Sequence, residues 1–150
     1  MQPQIILLVG LPASGKSTWA KKQGIPVLSS DAMRLVLLDD ETAQGFPEQV
    51  FGALRYLLAA RLRVRRPVTA VDATNLSVWE REPYLKLAQE NGAMIEVVFF
   101  DVSLAECKRR NRLRSRHVPD AALEAMSAKL VRPSLEEGFL RVTVVGPGTP

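Results

Sequence analysis

The sequence predicts an α/β fold: a three-layer domain with a mostly parallel sheet of about five strands, helices on both faces and an arginine-bearing lid. Three observations lead there. A continuous apolar run at residues 5–9 and largely apolar runs at 68–73 and 94–100 have the length of buried strands. Segments of helical period separate them, and that alternation demands right-handed crossovers between parallel strands. Gly10-Leu-Pro-Ala-Ser-Gly15-Lys16-Ser17 follows the first run directly and completes a GxxxxGK[ST] pattern.

The elements follow in order. Residues 5–9 form the first strand and end at Gly10. A helix starts at Ser17 and runs to Gln23, with Gly24 as its stop and Pro26 just beyond. Val27 and Leu28 make a short second strand, and Ser29 or Ser30 caps a helix over residues 31–38. Polar residues 39–45 are a loop. The longest helix spans 46–65, with Phe46, Val50, Leu54, Leu57, Leu58 and Leu62 on its apolar stripe and Arg61, Arg63, Arg65 and Arg66 at its end. Pro67 breaks it. The third strand, 68–73, carries Asp72 near its end. Ser77 with Glu80 and Ser103 with Glu106 are capping-box pairs that open two more helices, the first stopping at Asn91-Gly92 and the second near Arg112. Val118-Pro119 restarts a helix that ends near Arg132, residues 140–145 form the last strand, and 146–150 is a frayed tail. Trp19, Trp79 and Tyr84 stand at helical spacings and are expected to pack, as is Cys107 beside Leu104.

Composition narrows the class. At 150 residues, 47% hydrophobic and 24% charged, the chain suits one soluble domain, 1–150, and excludes a disordered or fibrous protein. Twenty Lys+Arg against sixteen Asp+Glu give a net charge of +4, which permits a phosphate-bearing or nucleic-acid partner. One cysteine excludes a disulfide framework and a Cys-rich zinc site. No run approaches a membrane span and no basic start of a secretory signal precedes residue 5, so a reducing, cytoplasmic setting is expected and no membrane partner.

The site residues gather at one edge. The glycine-rich loop turns its backbone N–H groups toward one centre and makes an anion nest, with Gly10, Ala13, Ser14, Gly15, Lys16, Ser17 and Thr18 around a nucleotide's phosphates. Lys16 is the phosphate lysine, and the Ser17 hydroxyl is placed to ligate Mg²⁺. Asp72, at the C-terminal end of a strand near this loop, is either the expected second metal ligand or a helix-capping or turn aspartate, and Thr74 and Asn75 next to it either point into the crevice or only make the turn. Asp31 and Arg34 start the helix after the second strand. One reading gives them an acceptor: Asp31 takes a proton from an attacking hydroxyl and Arg34 holds a phosphate. The other makes them an acid at a helix N-terminus and its i+3 ion-pair partner. Residues 108–116 read KRRNRLRSR, six basic residues in nine. They are either a solvated helix face or a lid over a triphosphate at about 112–118, with Arg114 and Arg116 as the residues that reach phosphate.

With these motifs placed, the chain resembles the kinase module of bacterial and phage polynucleotide 5′-hydroxyl kinases. The resemblance covers residues 5–145 and rests on GLPASGKSTWAKK, SSDAMR, VDATN, CKRRNRLRSR and VPDAALEAM in that order. It implies ATP or another nucleoside triphosphate as donor, Mg²⁺ as cofactor, and a 5′-OH end of DNA or RNA as acceptor, in nucleic-acid repair. By that resemblance Asp31 is the general base, Arg34 grips the acceptor strand, and Thr74 and Asn75 lie near it. Lys16, Ser17 and Arg114 then handle the ATP phosphates with help from Arg116. The lid is about one residue shorter than in that family, which leaves the assignment between Arg114 and Arg116 open. Family members often carry a phosphatase or ligase domain as well, so the chain is expected to be a stand-alone kinase or an excised module, with homo-oligomers or separate repair enzymes as partners. The residues alone also admit a small-molecule kinase acting on a nucleoside, sugar or antibiotic, or a nucleotide-binding ATPase that transfers phosphate only to water.

Overall fold

The computed structural model describes residues 2–115 and 117–146. Five strands form one sheet in the order β2-β3-β1-β4-β5: β1 (Gln4–Val9), β2 (Val27–Ser29), β3 (Val68–Asp72), β4 (Met94–Phe100) and β5 (Val142–Val145). Every pairing is parallel. The helices are α1 (Lys16–Gln23), α2 (Ser30–Leu38), α3 (Pro47–Arg63), α4 (Val78–Glu90), α5 (Leu104–Arg112) and α6 (Asp120–Lys129). A 3₁₀ turn at Leu135–Glu137, not expected from sequence, precedes β5.

Alternation along the central strand sorts the layers. Ile5, Leu7 and Val9 of β1 face α3 and α4 through Leu54, Leu58, Leu62, Tyr84 and Ala88. Ile6 and Leu8 face α1 through Ala20, with Trp19 set edge-on to Phe100 at 6.0 Å. A third cluster of Leu11, Leu76, Val102 and Cys107 closes the top of the sheet under α6. Register brings Ser29, Asp72 and Leu8 level, so the C-terminal ends of β2, β3 and β1 form one edge. The connection out of β1 runs to the β2–β3 side and the one out of β3 crosses to β4 on the other side of β1, which makes a crevice above that edge.

Local chemistry sets the helix starts. Ser29, Ser77 and Ser103 cap α2, α4 and α5 by accepting from the backbone N–H three residues on, at 3.0, 3.1 and 3.1 Å. The box at Ser77 is offset, because Glu80 Oε2 accepts from the Leu76 N–H. At Ser103 it is half made, since Glu106 turns to Arg109 and Arg110 instead.

Several expectations are corrected. The long helix starts at Pro47, and Phe46 stands outside it at φ 54° and exposed. Leu57 is also exposed, so the buried stripe is narrower than the periodicity implied. α6 stops at Lys129 because the Val131 N–H leaves the helix to bond Leu76 O at 2.8 Å. Trp79 is 80% exposed and not a packing residue. Arg116 and residues 147–150 of the expected frayed tail lie outside the described residues. No helix among the described residues is long and apolar enough to cross a membrane.

Candidate active site

Residues 10–17 wrap a cradle at the C-terminal end of β1. Ala13 and Gly15 adopt left-handed conformations, φ 65° and 103°, which turn the loop back on itself. A Cβ at Gly10 would stand 2.7 Å from Ser14 Oγ and 3.0 Å from Phe100 Cβ, so the loop approaches β4 closer than any side chain permits. Gly15 caps α1 without a side-chain hydrogen bond, leaving the first N–H groups of that helix for a ligand.

Lys16 is buried and its Nζ donates to the carbonyls of Gly10 and Leu11, each at 2.8 Å. Burial brings its ammonium down to about 8, against the pull of Asp72 and Asp31 in the other direction, and Arg114 adds to the lowering. Asp31, Asp72 and Arg114 line the same cavity as Lys16. Ser17 Oγ donates to Asp72 Oδ2 at 2.5 Å, so the two expected metal ligands already face each other. Ser14 Oγ is buried with no hydrogen-bond partner among the described residues.

These features fit a nucleoside triphosphate and a divalent cation. The unpartnered Ser14 hydroxyl and the uncapped helix start offer donors where the loop is tightest. Ser17 and Asp72 are hard oxygen donors of the kind Mg²⁺ takes.

A cavity of about 1200 Å³ extends from this loop across the edge of the sheet. Ala13, Ser14, Gly15, Lys16, Ser17, Thr18, Asp31, Arg34, Asp72, Thr74 and Arg114 line it, while Gly10 lies beneath it in the turn. The i+3 ion pair of Asp31 and Arg34 is present, and both residues line the cavity. Arg34 NH1 binds Asp31 Oδ1 at 2.8 Å, and the pair faces the cavity with the guanidinium 5.8 Å from the Phe51 ring centroid.

Asn75 does not join them. It is buried, at φ 49°, and its amide donates to Leu8 O at 2.8 Å and Ala73 O at 3.4 Å, so it ties β1 to the end of β3. The cations of residues 61–66 are also elsewhere. Arg61 donates to Thr69 Oγ1 and Val68 O, and Arg65 to Asn91 O, which sets them at the N-terminal edge of the sheet. A helix that returns the chain to the start of a parallel strand must end there.

The lid segment joins α5 to α6. Asn111, buried, clasps both backbone groups of Val118: Nδ2 donates to its carbonyl at 2.6 Å and Oδ1 accepts from its N–H at 3.1 Å. Arg110 is a cavity residue that sequence reasoning missed. Its NH1 lies 3.4 Å from Ser14 O and its Nε donates to Glu106 at 2.8 Å. Hydrogen bonds from Arg109 and Arg110 hold the Glu106 carboxyl down at about 2. The signal was the four-residue spacing from Glu106, which equally describes an ordinary helix-surface ion pair. Phe51, Glu80 and Lys129 also line the cavity and carried no sequence signal of it.

The AAA domain family, AAA_33, matches residues 5–133. A bifunctional polynucleotide phosphatase/kinase of Schizosaccharomyces pombe is 25% identical over 95% of the chain and 33% of its own length. An L-seryl-tRNA(Sec) kinase of Methanococcus maripaludis is 25% identical over 86% of the chain and 53% of its own length. The chain therefore spans between a third and about half of these curated relatives. Among solved structures, a chain of the Pnkp1/Rnl/Hen1 RNA repair complex superposes with a TM-score of 0.73 at 23% identity, over 86% of this chain and 44% of that one. With its parallel sheet, its phosphate loop and this match over most of its length, the chain belongs to the AAA domain family and has a P-loop kinase fold.

Proposed function

We propose that the chain transfers the γ-phosphoryl group of ATP to the 5′-hydroxyl of a DNA or RNA end. The observation that carries this reading is the Asp31–Arg34 pair at the start of α2, within the same cavity as Lys16. A carboxylate beside a guanidinium at the start of α2 suits an acceptor that brings a hydroxyl and a neighbouring phosphodiester together. The match to the polynucleotide phosphatase/kinase supports the nucleic-acid acceptor.

In this reading Asp31 accepts the proton of the incoming hydroxyl, and Arg34 turns from Asp31 to an oxygen of the acceptor's phosphodiester. Lys16 leaves the Gly10 and Leu11 carbonyls for the phosphates, while Arg110 and Arg114 close the lid side and supply charge where negative charge is handed over. Mg²⁺, held by Ser17 and Asp72, would neutralise phosphate oxygens. Thr74 offers a hydroxyl between the metal ligands and the acceptor.

One observation favours a smaller acceptor instead: Arg61, Arg63, Arg65 and Arg66 are at the far edge and build no basic wall beside the cleft. The deciding experiment incubates the protein with Mg²⁺, γ-labelled ATP and either 5′-OH oligonucleotides or a panel of nucleosides and sugars. The reading expects label on the 5′ end of oligonucleotides. Label confined to small molecules, or released only as inorganic phosphate, overturns it.

A further inference from the structure

One exposed aromatic beside the cavity-lining residues is used by none of the roles above. Trp79 stands on the first turn of α4, at 80% exposure. It lies two residues, about 200° of helix, from the fully buried Arg81, and therefore points directly away from the core. An indole that spends most of its surface in water is unusual for so large an apolar group. Its neighbours are cleft residues. Thr74 and Leu76 just before α4, and Glu80 immediately after Trp79, all line the cavity. Across from them, Met126 and Lys129 of α6 line the same side. The Lys129 ammonium lies 3.7 Å from Glu80 Oε1 and is itself 65% exposed, so a cation is held beside the first turn of α4.

An exposed aromatic one residue from the carboxylate that holds a cation offers the pairing that single-stranded nucleic acid uses: bases stack on the ring and the backbone phosphate meets the cation. A small sugar or nucleoside held inside the cleft would not reach this exposed ring. Resting on the polynucleotide reading, we infer that Trp79 and Lys129 form an outer subsite for the second or third nucleotide of a single-stranded acceptor. The stack is sequence-tolerant, since every base offers a π-face, and the subsite confers preference for acceptor length and not for sequence.

The test compares two acceptors and one binding assay. The acceptors are a nucleoside 3′-monophosphate, which ends at the catalytic pocket, and a single-stranded 5′-OH hexanucleotide. Stacking losses on alanine substitution correspond to roughly 5- to 100-fold per base. Trp79→Ala should therefore raise the hexanucleotide KM by about that factor, leave kcat and the KM values for ATP and the nucleoside 3′-monophosphate unchanged, and Trp79→Phe should restore most of the loss. Lys129→Ala should raise the hexanucleotide KM and flatten its salt dependence. Equal KM changes on both acceptors, or none on either, overturn the subsite. Anisotropy of a fluorescent hexanucleotide separates this from the catalytic reading. Trp79-dependent binding without phosphorylation keeps the subsite and rejects the kinase assignment to 5′ ends. Phosphorylation with binding unaffected by Trp79→Ala keeps the kinase and rejects the subsite.

Discussion

Glu137→Ala should be among the most damaging single substitutions remote from the cleft. Arg81 is fully buried and each guanidinium nitrogen is hydrogen-bonded: NH1 donates to Asn75 O and Leu76 O at 2.9 and 3.0 Å, while Nε and NH2 form a fork on Glu137 at 2.9 and 3.0 Å. Glu137 is only 7% exposed and also accepts from the Ser134 N–H at 3.0 Å. Removing the carboxylate leaves a charged group buried with two donors unpaired, a loss of about 3–5 kcal/mol. The Arg34–Asp31 pair makes a useful contrast. Its distance is similar, 2.8 Å, but Asp31 is 51% exposed, and a pair in water contributes about 0–1 kcal/mol. For a chain of this length, 3–5 kcal/mol lowers Tm by about 6–20 °C at 2–4 °C per kcal/mol. Urea unfolding and a thermal melt of Glu137→Ala read both quantities. The double variant Arg81→Met with Glu137→Leu should recover most of the loss, because no unpaired charge remains. A Glu137→Ala protein within about 1 kcal/mol of the parent would refute the reasoning, since that is the worth of an exposed pair.

Three other outcomes follow from the geometry. Gly10→Ala should weaken nucleotide binding about tenfold or more and lower Tm, because Phe100 Cβ and O, at 3.0 and 3.3 Å from the new methyl, belong to the central sheet and cannot retreat; calorimetry with ATP checks it. Arg114→Ala should cut kcat by roughly 10²–10³ with a smaller change in acceptor KM, since a cavity cation near Lys16 acts mainly on the charge handed over in the transition state; steady-state kinetics separate the two. Burial pushes the Tyr84 phenol up to about 12, so the unfolded chain loses that proton near pH 10 while the folded chain keeps it. Stability should fall as pH rises from about 10 toward 12, and Tyr84→Phe should flatten that part of the urea-midpoint profile.

The parts of this molecule that sequence reveals are those whose chemistry is local. The loop 10–17 is legible because glycines, lysine and serine at fixed offsets after a buried run have few other uses. Asp31 and Arg34 are legible as neighbours because one helical turn separates them, and Ser29 caps that turn as its residue type suggests. Cys107 is buried, as its place beside Leu104 implied. What sequence hides depends on direction. Asn75 follows Thr74 yet turns back onto Leu8 O, a choice set by a backbone at φ 49°. Trp79 falls two residues from Arg81, and periodicity alone does not say that the arginine and not the indole faces the core. That inversion follows from the two carbonyls after β3 and the Glu137 carboxylate, 56 residues along the chain, which only an arginine satisfies together. The basic end of α3 was read without its polarity. A helix antiparallel to the strands carries its last residues away from the phosphate loop.

The central claim is that Asp31 serves as the base toward a 5′-hydroxyl in a cleft whose ATP side is built by residues 10–17. Steady-state transfer from γ-labelled ATP to a 5′-OH oligonucleotide by Asp31→Asn tests it most directly, since the substitution keeps the shape of the side chain and removes the proton acceptor. The account predicts a kcat lower by roughly 10²–10⁴, with ATP affinity and Tm close to those of the parent. A near-normal kcat in Asp31→Asn would contradict it and leave the acid as a helix-end partner of Arg34.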